Sequence, residues 1–283
     1  MLCSSPLDRR RSVVRADRLL GPLVALLFLT PLLWAFFASL HEPGSVARRV
    51  IAWFPSPAAW SNYGEVFRIV NMLRYAANSL FVIALAVPIT IVVASWAGFA
   101  ISQLPRPWRW RLLALSVLCL MVPLTAIWLP RFILFKEAGL IDRRIALVVP
   151  ALMGTSPFYV LLFAWTFLRI PREIYEAARL DGAAPWRIWR EIALPLGRPA
   201  IVAVAVLSAV HYWNSFVEPL LLIRTDTNNT ASLGLRVLYA LDRTIWPLIM
   251  AGAIVVLAPV LLVFLLAQRA FLQDGRGLDR VRS

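Results

Sequence analysis

Six stretches of this 283-residue chain are long and apolar enough to cross a bilayer, and that pattern constrains the fold more than any other feature. A hydrocarbon core of about 30 Å needs roughly 20 helical residues. The stretches are 19–40, 75–102, 112–135, 145–168, 200–223 and 245–267. All are continuously apolar, without the alternation of barrel strands. The expected fold is therefore an all-α membrane protein with six transmembrane helices. Composition agrees: 60% of residues are hydrophobic and 16% charged, against about 45–50% and about 25% for a soluble domain. Soluble globules and disordered chains are both excluded.

The net charge of +14 invites a nucleic-acid reading, which would need a basic stripe on a soluble face. The arginines instead fall in the gaps between apolar runs, so nucleic acid is rejected as a partner and the excess is read as topology. Segments 1–18, 103–111, 169–199 and 268–283 hold five, three, six and four basic residues, 18 together, against 11 in the alternate loops. By the positive-inside rule both termini are expected in the cytoplasm. The expected organisation is a tail over 1–18, a first helix over 19–40, an external loop over 41–74 packed as a cap, a five-helix core over 75–268 and a tail over 269–283. Trp108, Trp110, Trp128 and Trp246 lie near run ends, as interfacial anchors or as core packing. Prolines at 31, 88, 123, 157 and 259 are expected inside helices, where neighbours satisfy the freed carbonyls.

Positive signs of catalysis are missing. A phosphate-binding loop needs a lysine after glycine, and the single lysine, Lys136, follows Phe135. His41 and His211 lie far apart with no metal-ligand spacing. No catalytic or metal residues are assigned, and no cofactor is expected on this chain. Two cysteines build no disulfide framework. Cys119 reads as a small packing residue. Cys3 has no apolar segment before it, so a lipoprotein signal is not expected.

The 169–199 loop is not a plain linker. Pro171 suits a helix first turn, Glu173 and Glu176 favour that end by the dipole, and helix formers run to Leu180. Asp181-Gly182 signals a turn, and Pro185 opens a second short helix expected to end at Leu194-Pro195. Two readings stand: an amphipathic interfacial helix on lipid headgroups, or a docking element whose small tip of Ala177, Ala178, Gly182 and Ala183 admits a partner.

In the fifth run Ser208, His211, Asn214, Ser215 and Glu218 recur at helical spacing and so are expected on one face. Polar residues in such segments face the bundle interior or a cavity. They line a solute pathway, or they bond helix to helix while Glu218 snorkels outward. Asn78, Ser79 and Thr90 in the second run are further candidates.

The stretch Glu176-Ala177-Ala178-x-x-Asp181-Gly182-Ala183, followed by Ile192-x-Leu194-Pro195 and Pro199, resembles the EAA loop of permease subunits of binding-protein-dependent ABC importers. Trp189 stands where that family often has phenylalanine. Tyr75-x-x-Asn78-Ser79-Leu80, the run from Met121-Val-Pro123 to Gly139-Leu140, Pro171-Arg-Glu and Trp213-Asn214-x-Phe216-x-x-Pro219-Leu220 resemble the shorter permease of maltose-type carbohydrate importers. The resemblance covers roughly residues 15–272. The tail beyond Phe271 departs from the family's usual ending.

The resemblance implies the type I ABC importer permease fold and a place in the cell inner membrane. It implies four kinds of partner: a second permease subunit, two ATPase subunits carrying ATP and magnesium, an extracytoplasmic solute-binding protein and membrane lipid. The solute would be a sugar or a related polyhydroxy or phosphoglycerol compound. Glu176 would anchor the loop to the ATPase subunit, and Gly182 would supply the turn. An ion-coupled secondary transporter is the alternative, but it would want titratable midplane residues, and Glu218 is the only acidic residue inside a run.

Overall fold

The structure is a computed structural model and describes residues 6–44, 55–241 and 245–279. Cys3 and the ends of both tails lie outside those residues, as does the middle of the 41–74 loop. The described chain is helical throughout, with no strand among the described residues. In chain order the helices are α1 Pro6–Ser39, α2 Ser61–Ile69, α3 Met72–Gln103, α4 Arg106–Met121, α5 Leu124–Glu137, α6 Pro157–Leu168 and α7 Arg172–Leu180. They continue as α8 Pro185–Ile188, α9 Leu194–Leu196, α10 Arg198–Asn214, α11 Val217–Leu222, α12 Ala231–Leu241 and α13 Trp246–Asp279.

Among the described residues three segments are long and apolar enough to cross a membrane: Gly21–Ser39, Met72–Gln103 and Arg144–Leu168. The count rises to five if each of two bent pairs forms one span. The expected single helix over 112–135 is one of those pairs. Helix α4 stops at Met121 and α5 leaves at 89°. Pro123 is the cause: it pushes Val122 into extended backbone (ψ 118°) and cannot donate to the preceding turn. Pro31, Pro88 and Pro259 do sit inside helices as expected, whereas Pro157 opens α6. The fourth run begins as two 3-10 turns, Arg144–Leu147 and Val149–Met153. It becomes α-helical only after Gly154 (φ 73°) and Thr155 (φ 60°) turn the chain. Cys119 is exposed rather than packed.

Two compact units result, residues 1–70 with 237–255 and residues 71–236 with 256–283. In the first, the buried Asn62 amide on α2 donates to the carbonyls of Ser39 and His41, both at 2.7 Å. Ser39 Oγ lies 2.8 Å from Tyr63 OH, so the chain leaving α1 is pinned to α2. Trp34 stacks on Trp246 at 5.6 Å.

The second unit is built on α3 and α6. Gly98 allows their approach: a Cβ there would lie 2.7 Å from Phe163 Cβ and 2.8 Å from the Ala164 nitrogen. Around this contact Phe99, Phe163, Phe167, Tyr175, Ile188 and Val204 form one buried cluster. A second cluster gathers Val82, Ala86, Leu147, Tyr212 and Leu222.

Candidate functional site

The 169–199 segment folds locally as its sequence dictates, up to its last turn. Pro171 precedes α7, and the helix stops at Asp181 as Gly182 enters the left-handed region at φ 76°. The Ala183 N–H closes the turn on the Ala178 carbonyl at 3.0 Å. Pro185 opens α8. The second helix does not end at Leu194-Pro195: a π turn over Trp189–Ala193 widens the backbone, and the helix passes Pro195 to Leu196. The wide turn absorbs a proline that would clash with a regular α-helical carbonyl. Gly197 and an 82° bend then lead into α10. A Cβ on Gly197 would meet the Phe167 ring at 2.8 Å.

This helix pair is anchored on one side and bare on the other. Tyr175, Ile188 and Ala193 are buried in the aromatic cluster, with Ala178, Ala183 and Leu194 packed against it. Tyr175 donates to the Phe167 carbonyl at 3.3 Å, and its ring meets Phe99 edge-on at 6.0 Å. Burial pushes the Tyr175 hydroxyl up to about 12, so it stays neutral. Trp189 meets Trp96 edge-on at 4.9 Å. The other side presents Glu176, Ala177, Asp181, Gly182 and Pro195. Nothing lies within 4 Å of a Cβ built on Gly182.

The sequence reading missed Leu180, which is 89% exposed beside that tip, and Trp186, also exposed. Helical spacing held the signal for Leu180: five residues from Tyr175 it points well away from the buried Tyr175 and Ala178 face.

The polar stripe of the fifth run does not survive as one face. Helix α10 ends at Asn214, Ser215 is extended (ψ 122°), and Glu218 belongs to the separate helix α11. The members also differ in what they touch. Ser208 is fully buried, and its hydroxyl donates back to the Val204 carbonyl at 2.6 Å. Glu218 does not snorkel freely but pairs with Arg131, with side chains only 17% and 22% exposed. The Ser215 carbonyl accepts from Ser232 Oγ at 2.6 Å. Asn78 is buried and saturated: its amide donates to the Thr227 and Asn229 carbonyls at 2.9 and 2.8 Å, and its oxygen accepts from Arg144 at 2.8 Å. Ser79 accepts from the Ala231 N–H at 3.0 Å. Thr90 lies 2.5 Å from Thr155, whose hydroxyl lies 2.7 Å from Tyr212 OH. Those bonds hold Thr155 at its unusual positive φ. Of the stripe, His211 and Asn214 alone are exposed with no side-chain hydrogen bond among the described residues.

Two of the polar groups that the sequence suggested as pathway, Asn78 and Ser79, thus fasten the segment 227–231 to α3. A clamp completes this fastening. Asp142, at φ 61°, accepts from the Arg224 and Thr225 N–H groups at 3.0 and 2.9 Å and from Thr225 Oγ1. The backbone donors hold its carboxyl down at about 2.

Known proteins resemble the chain on this scale. Residues 86–274 match the model of the family described as "binding-protein-dependent transport system inner membrane component". The sn-glycerol-3-phosphate transport system permease protein UgpE of Brucella suis is 32% identical over 271 residues, covering 91% of this chain and 95% of that protein. The lactose transport system permease protein LacG of Rhizobium radiobacter is 28% identical, covering 90% and 92%. A chain of a bacterial ABC transporter involved in the import of the acidic polysaccharide alginate has the same fold. Its TM-score is 0.70 at 24% identity, over 96% of this chain and 100% of that one. The chain has the type I importer permease fold and belongs to the family of binding-protein-dependent transport inner membrane components, as a transport subunit and not an enzyme.

Proposed function

We propose that this chain forms half of the pathway of an ATP-driven importer for a sugar or a related polyhydroxy or phosphoglycerol solute, and that its α7–α9 loop couples the pathway to an ATPase subunit. The solute class rests on relatives named for sn-glycerol-3-phosphate, lactose and diacetylchitobiose. In this reading the chain crosses the inner membrane six times with both termini in the cytoplasm. A second permease subunit completes the pathway, two ATPase subunits carry ATP and magnesium beneath it, and an extracytoplasmic binding protein delivers solute.

The observation that carries the reading is the two-sided build of the loop. Its inner side is embedded in the aromatic cluster of α3 and α6, while its tip around Gly182 is open. Packed interiors transmit displacement instead of absorbing it. A push on the tip by a closing ATPase dimer would reach α3 and α6 through Tyr175, Phe99 and Phe167, and ATP binding would bias a two-state assembly. Leu180 and Trp186 would supply apolar area for the contact, and Glu176 a charged hydrogen bond. His211 and Asn214 remain as pathway residues.

Co-expression with a six-span partner permease and a Walker-motif ATPase tests the assignment. Co-elution of all three, with solute-stimulated hydrolysis after reconstitution, is expected. A chain that purifies and transports without an ATPase subunit would overturn it.

A further inference from the structure

Beside the α7–α9 loop lies a cavity of about 650 Å3, framed by the ends of α3 and α6 and the beginnings of α4 and α7. Arg106, Arg109, Arg172 and Arg179 line it, against the single carboxylate of Glu176. None of the four arginines has an ion-pair partner among the described residues. Arg179 donates to Gln103 Oε1 at 2.5 Å, a neutral acceptor that leaves its charge uncompensated. Two helices also open onto the cavity: α4 begins at Arg106 and α7 at Arg172, neither with a side-chain cap. Their first-turn N–H groups add positive potential at the same place. Such a concentration of guanidinium groups and free helix N-termini suits a phosphate and offers little to a neutral sugar.

The surroundings say where that phosphate comes from. Gln103 and Leu168, the last residues of two apolar spans, both reach the cavity. Trp108 and Trp110, both exposed, follow within the first turn and a half of α4, the residue type that settles at the headgroup level of a bilayer. We propose that this cavity binds the phosphate of an anionic phospholipid headgroup, beside Glu176. Basic pockets between membrane helices recognise headgroups in this manner. The inference rests on the placement of α3 and α6 in the membrane and not on the coupling role of the loop.

The test uses the full complex, extracted from vesicles of mixed phosphatidylglycerol and phosphatidylcholine, with lipid retained on this chain counted by native mass spectrometry. The double variant Arg106→Gln/Arg109→Gln should retain about tenfold less phosphatidylglycerol, the loss expected from one or more charged hydrogen bonds. Arg111 is the control: it sits on the same helix, 5.0 Å over the Trp108 ring, and does not line the cavity. Arg111→Gln removes one charge, half the change of the double variant, and should leave retention within about twofold of wild type. A fall of about threefold or more in Arg111→Gln, the share that one charge of two would carry if position did not matter, would mean diffuse attraction and would overturn the site. Complete displacement of the lipid by inorganic phosphate would reassign the cavity to free phosphate, and a cross-link from Arg106→Cys to an acidic ATPase segment would reassign it to protein; either overturns the lipid reading. ATPase co-elution, scored in the same samples, reports separately on the coupling assignment.

Discussion

The α7–α9 loop and the polar stripe of α10 and α11 both concentrate functional-looking residues, yet they are built on opposite principles. Every backbone feature of the loop comes from residues within a few positions: Pro171 and Pro185 start helices, Gly182 turns the chain, and the π turn accommodates Pro195. Glu176, Ala177, Asp181 and Gly182 point out around an open tip, while Ala178, Ala183 and Leu194 pack inward against the aromatic cluster. The stripe is the reverse. Glu218 is committed to Arg131, 87 residues away, and Asn78 to a segment about 150 residues away. Polar groups in apolar surroundings must be satisfied, and among the described residues backbone groups satisfy most of the buried polar side chains. An intramembrane polar residue is therefore weaker evidence of a pathway than an exposed, locally specified motif is of a docking site.

The comparison breaks most readily at Arg131. Arg131→Ala should lower the thermal stability of the purified complex by about 2 kcal/mol, below the 3–5 of a fully buried pair because both partners are partly exposed. Arg131→Ala/Glu218→Ala should lose less than the two single changes together. Unchanged melting in the single variant would return Glu218 to the pathway candidates.

On the loop side, Gly182→Val should cost about 1–2 kcal/mol of backbone strain with no clash inside the chain, since the space around it is open. Gly182→Asn tolerates the left-handed backbone and should restore melting. If the tip is a docking surface, neither variant should regain wild-type ATPase co-elution, because each places a side chain in the contact.

The Asp142 clamp gives a smaller, pH-dependent effect. Its carboxyl lies below the ordinary 3.8, at about 2, so the fold favours the ionised form. The stabilisation is present above 3.8 and lost as pH falls towards 2, amounting to about 1 kcal/mol after solvent screening. Acid titration of melting should show this step in wild type and not in Asp142→Asn.

The smallest change is expected at Ser208. Ser208→Ala removes only a bond to its own helix and should shift stability by less than about 0.5 kcal/mol with uptake unchanged. His211→Ala and Asn214→Ala should lower uptake while leaving melting alone, as neither side chain has a hydrogen-bond partner to lose among the described residues. The opposite pattern would make those two residues structural.

What was legible in the sequence follows the same division. The helical class and the turn at Gly182 were readable because composition and local backbone preference decide them. The break at Pro123 was visible as a residue but not as an outcome, since a proline within an apolar run is tolerated at Pro88 and ends the helix at Val122. Nothing local separates the two cases. The end of α10 at Ser215 was hidden for the same reason, and with it the split of the stripe. The basic cavity was invisible because its arginines come from segments more than 60 residues apart and count, in sequence, only as topology.

The coupling assignment meets its most direct test at Glu176. The full complex carrying Glu176→Lys is reconstituted, and ATPase co-elution and solute-stimulated hydrolysis are measured against wild type. The loss of one charged hydrogen bond at a transient contact predicts at least about a tenfold fall in stimulated hydrolysis. Insertion and pairing with the second permease should remain intact. Full stimulated hydrolysis and full uptake in that variant would contradict the assignment and leave the α7–α9 loop as a helix pair resting on lipid.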